Sequence, residues 1–377
     1  MYTEPLYQKI YRDLHDGIVS GKYRVGDRLP SEKELADSYD VSRITSKKAL
    51  ETLADRGYVM RKPGKGTFVI EIPRPVNELE ADDLDINAGR DENRPCQLIG
   101  VIMDSFGATF GPELIRGLEY ECRRRGYMLL LRFTYGSMEQ ETQALNDMLS
   151  AGVAGIIIMC TQGETYNSDI LKLQLADFPL IFLDRGLQGI PVPVVTTDNY
   201  GAGRELTEHL LAKGHTRICF LSHSHVRTTT VADRFSGYLN AMSAHGLVND
   251  PSLWLRNLDA CLPNNDEDTD TDNTDEASMR ILSEYVDEHP DVTGFIAVEF
   301  SLAAMLFRVL KEKDMVGEKD IAYFDGYESD ELVIPPYAHI LQDQYQMGVT
   351  AVSMLVRKGR GDEVASQAVI PHIMITE

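Results

Sequence analysis

Four carboxylates, Asp104, Asp184, Glu299 and Asp325, each directly follow an apolar run, and Arg234 opens a helical segment behind another such run. Carboxylates accept hydrogen bonds from adjacent hydroxyls and a guanidinium donates a fork of them, so this set converging on one cleft suits a polyhydroxylated ligand, most simply a sugar. Acids after strands also cap the helices that follow; that reading is as good for any one of the four and poorer for all together. A second set, Ser42, Arg43, Thr45, Ser46 and Lys47, is short, basic and hydroxyl-rich. At the start of a second helix after a tight turn, that set would enter the major groove of double-stranded DNA.

The elements that must hold the second set are written around it. Ser31 with Glu34 three residues on forms a capping box, so a short helix starts there and buries Leu35 and Ala36. The chain pauses at Tyr39-Asp40-Val41 and restarts at Ser42, a second N-cap, for a helix that stops at Gly57 and turns Ala49, Leu50 and Leu53 inward. Alternating runs at 58–61 and 67–70 flank Lys62-Pro63-Gly64-Lys65-Gly66, which reads as a hairpin wing.

The first set needs a larger scaffold. Apolar runs at 98–103, 129–133, 156–159, 180–183, 218–221, 295–298 and 321–324 alternate with helical patterns such as Leu302, Met305, Leu306, Val309 and Leu310. Continuous apolar runs of that length are buried parallel strands, so an α/β doubly wound architecture with two sheets is expected. Ligands in such sheets lie beyond the carboxyl ends of the strands, where the four acids fall.

Composition bounds the rest. At 377 residues and 43% hydrophobic content the chain is long enough for two or three domains. No apolar run approaches the roughly 20 residues needed to span a bilayer and no N-terminal apolar segment suggests export, so a soluble cytoplasmic protein is expected. Five widely spaced cysteines, Cys96, Cys122, Cys160, Cys219 and Cys261, lack any C-x-x-C pair and read as buried thiols. The net charge of −22 conceals an asymmetry: residues 1–72 hold 13 Lys/Arg and 11 Asp/Glu, the remainder 24 and 48. Positive charge must therefore concentrate on the recognition helix and wing, while the acidic body repels DNA elsewhere. Residues 73–95 combine prolines, Asn, Gly and clustered acids and read as a linker.

Three further features carry blander readings. Asp268 to Asp275 is similar to a calcium loop, but the sixth position is Asn273 rather than Gly and the twelfth is Met279 rather than Glu, so an acidic disordered insertion is expected. His223 and His225 lack a nearby third ligand and read as a surface loop after a strand. Gly201-Ala202-Gly203 after Asp198-Asn199 has neither nucleotide-binding spacing and reads as a tight packing turn.

Through LPSEKELA, VSRITSKKAL and GKGTFV, preceded by an amphipathic helix at 6–19, residues 4–72 closely resemble the GntR family of bacterial transcription regulators. The resemblance implies a winged helix-turn-helix over 1–72 and DNA contacts from Lys33, Arg43, Thr45, Lys47 and Gly64 at the wing tip, with Lys65 beside it. Lys33 and Lys47 stand where the family often has Arg, and a lysine is a point charge rather than a bidentate reader of guanine.

IGVIMDSFGATFGPELIRGLEYECRRRGY, GIIIMC, PLIFLDRG, VTTDNYGAGRELTEHLLAKGHTRICFL, DRFSGYLNAM, AYFDGYE and ILQDQYQMG resemble the LacI/GalR effector domain, a two-lobed relative of periplasmic binding proteins, over 96–377. That resemblance implies ligand contact by Phe110, hydroxyl binding by Asp184 and Arg234, a second-lobe contact by Asp325 and a hinge-side position for Gln342. Val298-Glu299 stands where the family commonly has Asn-Asp, so the usual amide contact is absent and the effector is open to differ from the common hexoses and pentoses; Glu299 counts among the effector-binding residues. A GntR-type head on a LacI-type body resembles the arabinose repressors. It implies a homodimeric, non-enzymatic, sequence-specific regulator, with neither cofactor nor metal, released from operator DNA by a small sugar such as L-arabinose. A sugar-binding protein, a glycoside-processing enzyme, or a regulator answering to a nucleoside or a phosphocarrier protein are the alternatives.

Overall fold

The computed structural model describes residues 7, 10–11, 13–14, 22–23, 27–39, 41–55, 59–62, 66–69, 97–105, 107, 109–161, 166–223, 228–258, 271–325 and 337–376. The chain divides into two compact units, Met1–Asp91 and Glu92–Glu377. The expected linker at 73–95 lies outside the described residues.

In the first unit, α1 (Glu32–Tyr39) and α2 (Arg43–Asp55) precede a hairpin of β1 (Val59–Lys62) and β2 (Gly66–Val69). The capping box forms as expected: Ser31 N donates to Glu34 Oε2 at 2.7 Å and Glu34 N to Ser31 Oγ at 3.3 Å. Ser42 caps α2 through the Thr45 amide at 3.2 Å. Leu35, Ala49, Leu50 and Leu53 close a small core with Ile10, Leu14, Leu29, Val59 and Val69. Residues 27–29 also pair with β2, since Leu29 N donates to Thr67 O and Val69 N to Asp27 O, both at 2.9 Å. Residues 27–29 thus add an isolated antiparallel bridge, Arg28 to Phe68, to the two-stranded hairpin.

The second unit runs β3 (Gln97–Met103), α3 (Pro112–Arg124), β4 (Tyr127–Phe133), α4 (Met138–Ser150), β5 (Ile156–Ile158), α5 (Ser168–Leu175), β6 (Leu180–Leu183) and β7 (Val194–Thr197). It continues with α6 (Asn199–Ala212), β8 (Ile218–Leu221), α7 (Thr229–Ala244), β9 (Trp254–Leu255), α8 (Thr271–Glu288), β10 (Gly294–Ala297) and α9 (Phe300–Glu312). Last come β11 (Asp320–Phe324), β12 (His339–Gln342), α10 (Gln344–Gly359), β13 (Gln367–Ile370) and β14 (His372–Ile375).

Two six-stranded sheets result, in the orders β13-β7-β6-β5-β3-β4 and β14-β12-β11-β10-β8-β9. The first is wholly parallel; in the second only β14 runs antiparallel, against β12. Strand periodicity assigns the faces. Ile99, Val101 and Met103 join α3 and α10 residues in one core, while Ile102 joins Ala144, Leu145 and Met148 in another. Helices on both faces of parallel sheets make this doubly wound twice over, as expected. The chain passes between sheets three times, at β7 to β8, β12 to β13 and β13 to β14.

One expectation is corrected. Residues 271–275 of the acidic run belong to α8 rather than to a disordered insertion; residues 268–270 lie outside the described residues. Cys122, Cys160 and Cys219 are buried free thiols as expected, and Cys96 and Cys261 lie outside the described residues. Among the described residues, no helix is long and apolar enough to cross a membrane.

Candidate functional site

Two regions carry the candidate residues, and each is built by its own unit. On the first unit Lys33, Ser42, Arg43 and Lys47 are exposed and Thr45 is half-buried. The Ser42 and Thr45 hydroxyls meet at 2.9 Å. Ser46 is a correction. It is fully buried, and its hydroxyl donates to Glu32 O at 2.7 Å and to Arg43 O at 3.2 Å. Its hydroxyl clamps α2 to the first turn of α1 and has no access to a DNA partner. Gly64 and Lys65, the expected wing tip, lie outside the described residues.

On the second unit candidate residues at the carboxyl ends of strands from both sheets gather around Arg234. Arg234, on α7, is only 6% exposed. Its Nε donates to Asn199 Oδ1 at 2.8 Å and its Nη1 to Val298 O at 2.6 Å. The guanidinium lies over the Phe324 ring at 3.9 Å, a cation–π seat that fixes its plane. Asp184, Glu299 and Asp325 all feel its charge. One cation thus gathers a carboxylate from the first lobe and two from the second.

The carboxylates are held by different means. Asp184 and Asp325 both occupy the left-handed region, with φ of 64° and 62°, a conformation uncommon outside glycine that Asp tolerates better than most and that turns the backbone sharply at a strand end. Among the described residues neither caps a helix. Asp184 N remains in the ladder to Val195 O at 2.8 Å and Asp325 N to Ile340 O at 2.9 Å. Burial pushes the Asp184 carboxyl up against the pull of Arg185 and Arg234. Burial likewise pushes Asp325 up, to about 6, against Arg234 and the 2.7 Å hydrogen bond from Gln342 Nε2, with Asp184 and Glu299 adding to the rise. Gln342 is 8% exposed, and its Oε1 is buried with no hydrogen-bond partner. A buried acceptor without a donor is costly and suits a ligand hydroxyl.

Glu299 stands at the N-cap position of α9 without making a side-chain cap bond. Its Oε1 accepts instead from the Ser301 hydroxyl and lies 3.1 Å from His223 Nε2. Burial pushes its carboxyl up, and the His223 and Ser301 contacts outweigh that and leave it below the usual range. His223 does lie on the loop after β8, as expected, but its side chain is largely buried against Glu299 rather than on the surface; His225 lies outside the described residues.

Asp104 joins the first-lobe wall by pairing with Arg185 at 2.7 Å, and Arg185 Nε also donates to Cys160 O at 2.9 Å. Phe110 is half-buried on the loop after β3 and packs against the first-lobe core. That loop is latched by Gln344 at the start of α10, which accepts from Gly111 N and donates to Thr109 O, both at 2.8 Å. Sequence reasoning missed Gln344 and Asn199. Both sit where the chain crosses between lobes, and the crossings become visible only once the strand order is known.

The comparisons agree with this architecture. The family described as periplasmic binding proteins and sugar binding domain of the LacI family matches residues 97–373, and that described as bacterial regulatory proteins, gntR family, matches residues 6–69. The arabinose metabolism transcriptional repressor of Geobacillus stearothermophilus is 25% identical over 370 residues, covering 94% of this chain and 91% of its own. The ribose operon repressor of Bacillus subtilis is 26% identical over 289 residues, covering 74% of this chain and 80% of its own. Among solved structures, the transcription regulator CcpA of Lactococcus lactis superposes with a TM-score of 0.63 at 20% identity, over 75% of this chain and 98% of that one.

Proposed function

The chain belongs to the family of periplasmic binding proteins and LacI sugar-binding domains and carries a gntR-family head, and from that premise we propose that it is a transcriptional repressor released from operator DNA by a small polyhydroxylated effector. The observation that carries the reading is the cluster in which Arg234 faces Asp184, Glu299 and Asp325 from two lobes, beside Gln342 Oε1, which has no partner among the described residues. Carboxylates and an amide oxygen accept from ligand hydroxyls while Arg234 donates, and Phe110 supplies an apolar surface for the C–H face of a ring. L-arabinose leads the candidates because the Geobacillus relative that spans nearly the whole chain is an arabinose repressor; the ribose repressor of Bacillus subtilis makes another pentose the next candidate.

In this reading residues 1–72 form the DNA-binding head and 73–95 a linker to the effector body at 96–377, and the protein works in the cytoplasm as a homodimer. Lys33, Ser42, Arg43, Thr45 and Lys47 meet the major groove, and Gly64 and Lys65 the adjoining backbone. Two heads bind two half-sites of a pseudo-palindromic operator. Sugar closes the cleft by contacting both lobes at once, so it binds the closed form more tightly, and the bodies then no longer let both heads hold DNA.

Thermal-shift screening of the purified protein against pentoses and hexoses, with hits retested for release of its own upstream promoter DNA, tests the reading. A sugar that both stabilises the protein and releases DNA supports it. Equal operator affinity with and without saturating ligand would overturn induction.

A further inference from the structure

The proposed effector cleft contains a proton-holding pair that the sugar reading does not by itself require. His223 Nδ1 lies 2.9 Å from Leu258 O. A carbonyl has no hydrogen to give, so Nδ1 carries the proton. In the neutral imidazole that leaves a bare lone pair on Nε2, which lies 3.1 Å from Glu299 Oε1. Two lone pairs at that distance repel, so a proton must lie between them, and the imidazolium facing a carboxylate is the arrangement that supplies it. Ser301 donates to the same oxygen. With two protein donors on Oε1, Glu299 keeps its orientation, and no donor among the described residues meets Oε2.

We propose that His223 is a positioning residue for effector recognition: anchored on Leu258 O, it holds Glu299 ionised and fixed so that the carboxylate accepts hydroxyls of an uncharged polyol. The proposal rests on the sugar-responsive reading above. It gives the Val298-Glu299 substitution a chemical meaning. With Val298 where the family has the amide, the Glu299 carboxylate is left as the acceptor at this strand end, stronger toward hydroxyl donors than a neutral amide and hostile to anions. The charged groups facing the pair among the described residues are Arg234 from α7, Asp325 from the end of β11 and, across the lobes, Asp184. Three carboxylates against one guanidinium and one imidazolium leave the cleft negative, so phosphorylated sugars are disfavoured.

The pH dependence follows in sign. As pH rises and Nε2 loses its proton, the lone pair turns on Glu299 and effector affinity falls. As pH falls, Asp325, held up to about 6, takes a proton and the acid limb follows from that residue whether or not His223 is present.

Isothermal titration of the full-length protein with L-arabinose, D-ribose, D-xylose and D-ribose 5-phosphate from about pH 5 to about pH 9 tests this. The wild type should bind an uncharged pentose and lose affinity on the alkaline side, with the phosphate ester at least about tenfold weaker. His223→Ala should weaken binding about tenfold. His223→Gln offers an uncharged amide donor at the Nε2 position; it should recover most of the affinity and flatten only the alkaline limb. Unaltered affinity and an unaltered alkaline limb in both variants would overturn the positioning role while leaving sugar responsiveness intact. Tighter binding of the phosphate ester would overturn the anionic-acceptor claim. If none of these sugars bound the wild type, the underlying sugar reading would fall and the proposal with it.

Discussion

Asp325 is 7% exposed, and its carboxyl is held up to about 6 from an ordinary 3.8, by burial first. A raised acid pKa means that the folded state binds this proton more tightly than the unfolded chain. The associated stability is fully present below about 4 and is lost as pH rises through about 6. At neutral pH the ionised side chain therefore costs the empty protein about 3 kcal/mol, from roughly two units at 1.36 kcal/mol each. Asp325→Asn should stabilise the ligand-free protein at pH 7 by up to that amount and leave it nearly unchanged near pH 4, as read by denaturation at both pH values. The same variant should weaken effector binding, since a hydroxyl loses a charged acceptor. A stabilised variant that bound sugar as well as wild type would exclude Asp325 from recognition. Arg234 behaves oppositely. Arg234→Ala leaves three carboxylates around a hole where a cation was seated, so loss of effector response should come with destabilisation of about 3–5 kcal/mol, less whatever Asp325 relieves by taking a proton.

Helix placement turns on small residues that touch backbone. A Cβ on Gly203 of α6 would lie 2.3 Å from the Arg234 carbonyl, and one on Gly237 of α7 would lie 2.1 Å from the Tyr200 carbonyl. The two helices therefore cross at a separation only glycine permits, and that crossing brings Asn199 on α6 to Arg234 on α7. Gly203→Ala should force the helices apart, destabilise the body by about 1–3 kcal/mol and reduce effector affinity without any change in the residues that face the cleft. Differential scanning calorimetry and titration on the same sample check both halves. The reading of Gly201-Ala202-Gly203 as a tight turn is overturned, since all three lie inside α6; the cap that starts the helix, Asp198 accepting from the Gly201 amide at 2.8 Å, is a local event written in the sequence. Events that depend on distant partners were not legible. Ser46 sits among exposed basic residues and shares their sequence face, yet the Glu32 carbonyl on the preceding helix decides where its hydroxyl goes. His223 is on a loop as read, but its partners were not legible because Glu299 and Leu258 are far along the chain. All seven strands read as apolar runs are present, whereas β9, with two residues, and β7 and β12 to β14, which carry polar or histidine residues, escaped that pattern. Ser46→Ala separates the two readings of the head. It should lower head stability by about 1 kcal/mol and, below the melting range, leave operator affinity within about twofold of wild type. Arg43→Ala should instead cost about 1–3 kcal/mol of operator binding in a head that melts normally.

At the scale of the whole molecule, the charge asymmetry constrains how the protein finds DNA. Residues 1–72 carry 13 basic and 11 acidic side chains, and the remainder 24 and 48. A body that repels phosphate leaves the exposed cations of the head, Lys33, Arg43 and Lys47 among them, to supply the attraction. Operator affinity should therefore fall with the logarithm of salt by a slope set by a small number of phosphate contacts, since neither a broad basic face nor the body adds to it. Lys47 is the residue to count with. As a point charge it fits a phosphate better than a base edge, and each phosphate contact contributes about 0.9 to the slope on duplex DNA. If two heads of a homodimer occupy one operator, Lys47→Ala should reduce the slope by about two, whereas a single bound head would give about one. Saturating effector should then leave a wild-type complex whose residual DNA binding shows the one-head slope, because induction in this mechanism frees one half-site before the other. A Lys47→Ala slope equal to that of wild type would remove Lys47 from the DNA contacts, and an unchanged slope on adding sugar would mean that the effector acts on something other than the pairing of heads with half-sites.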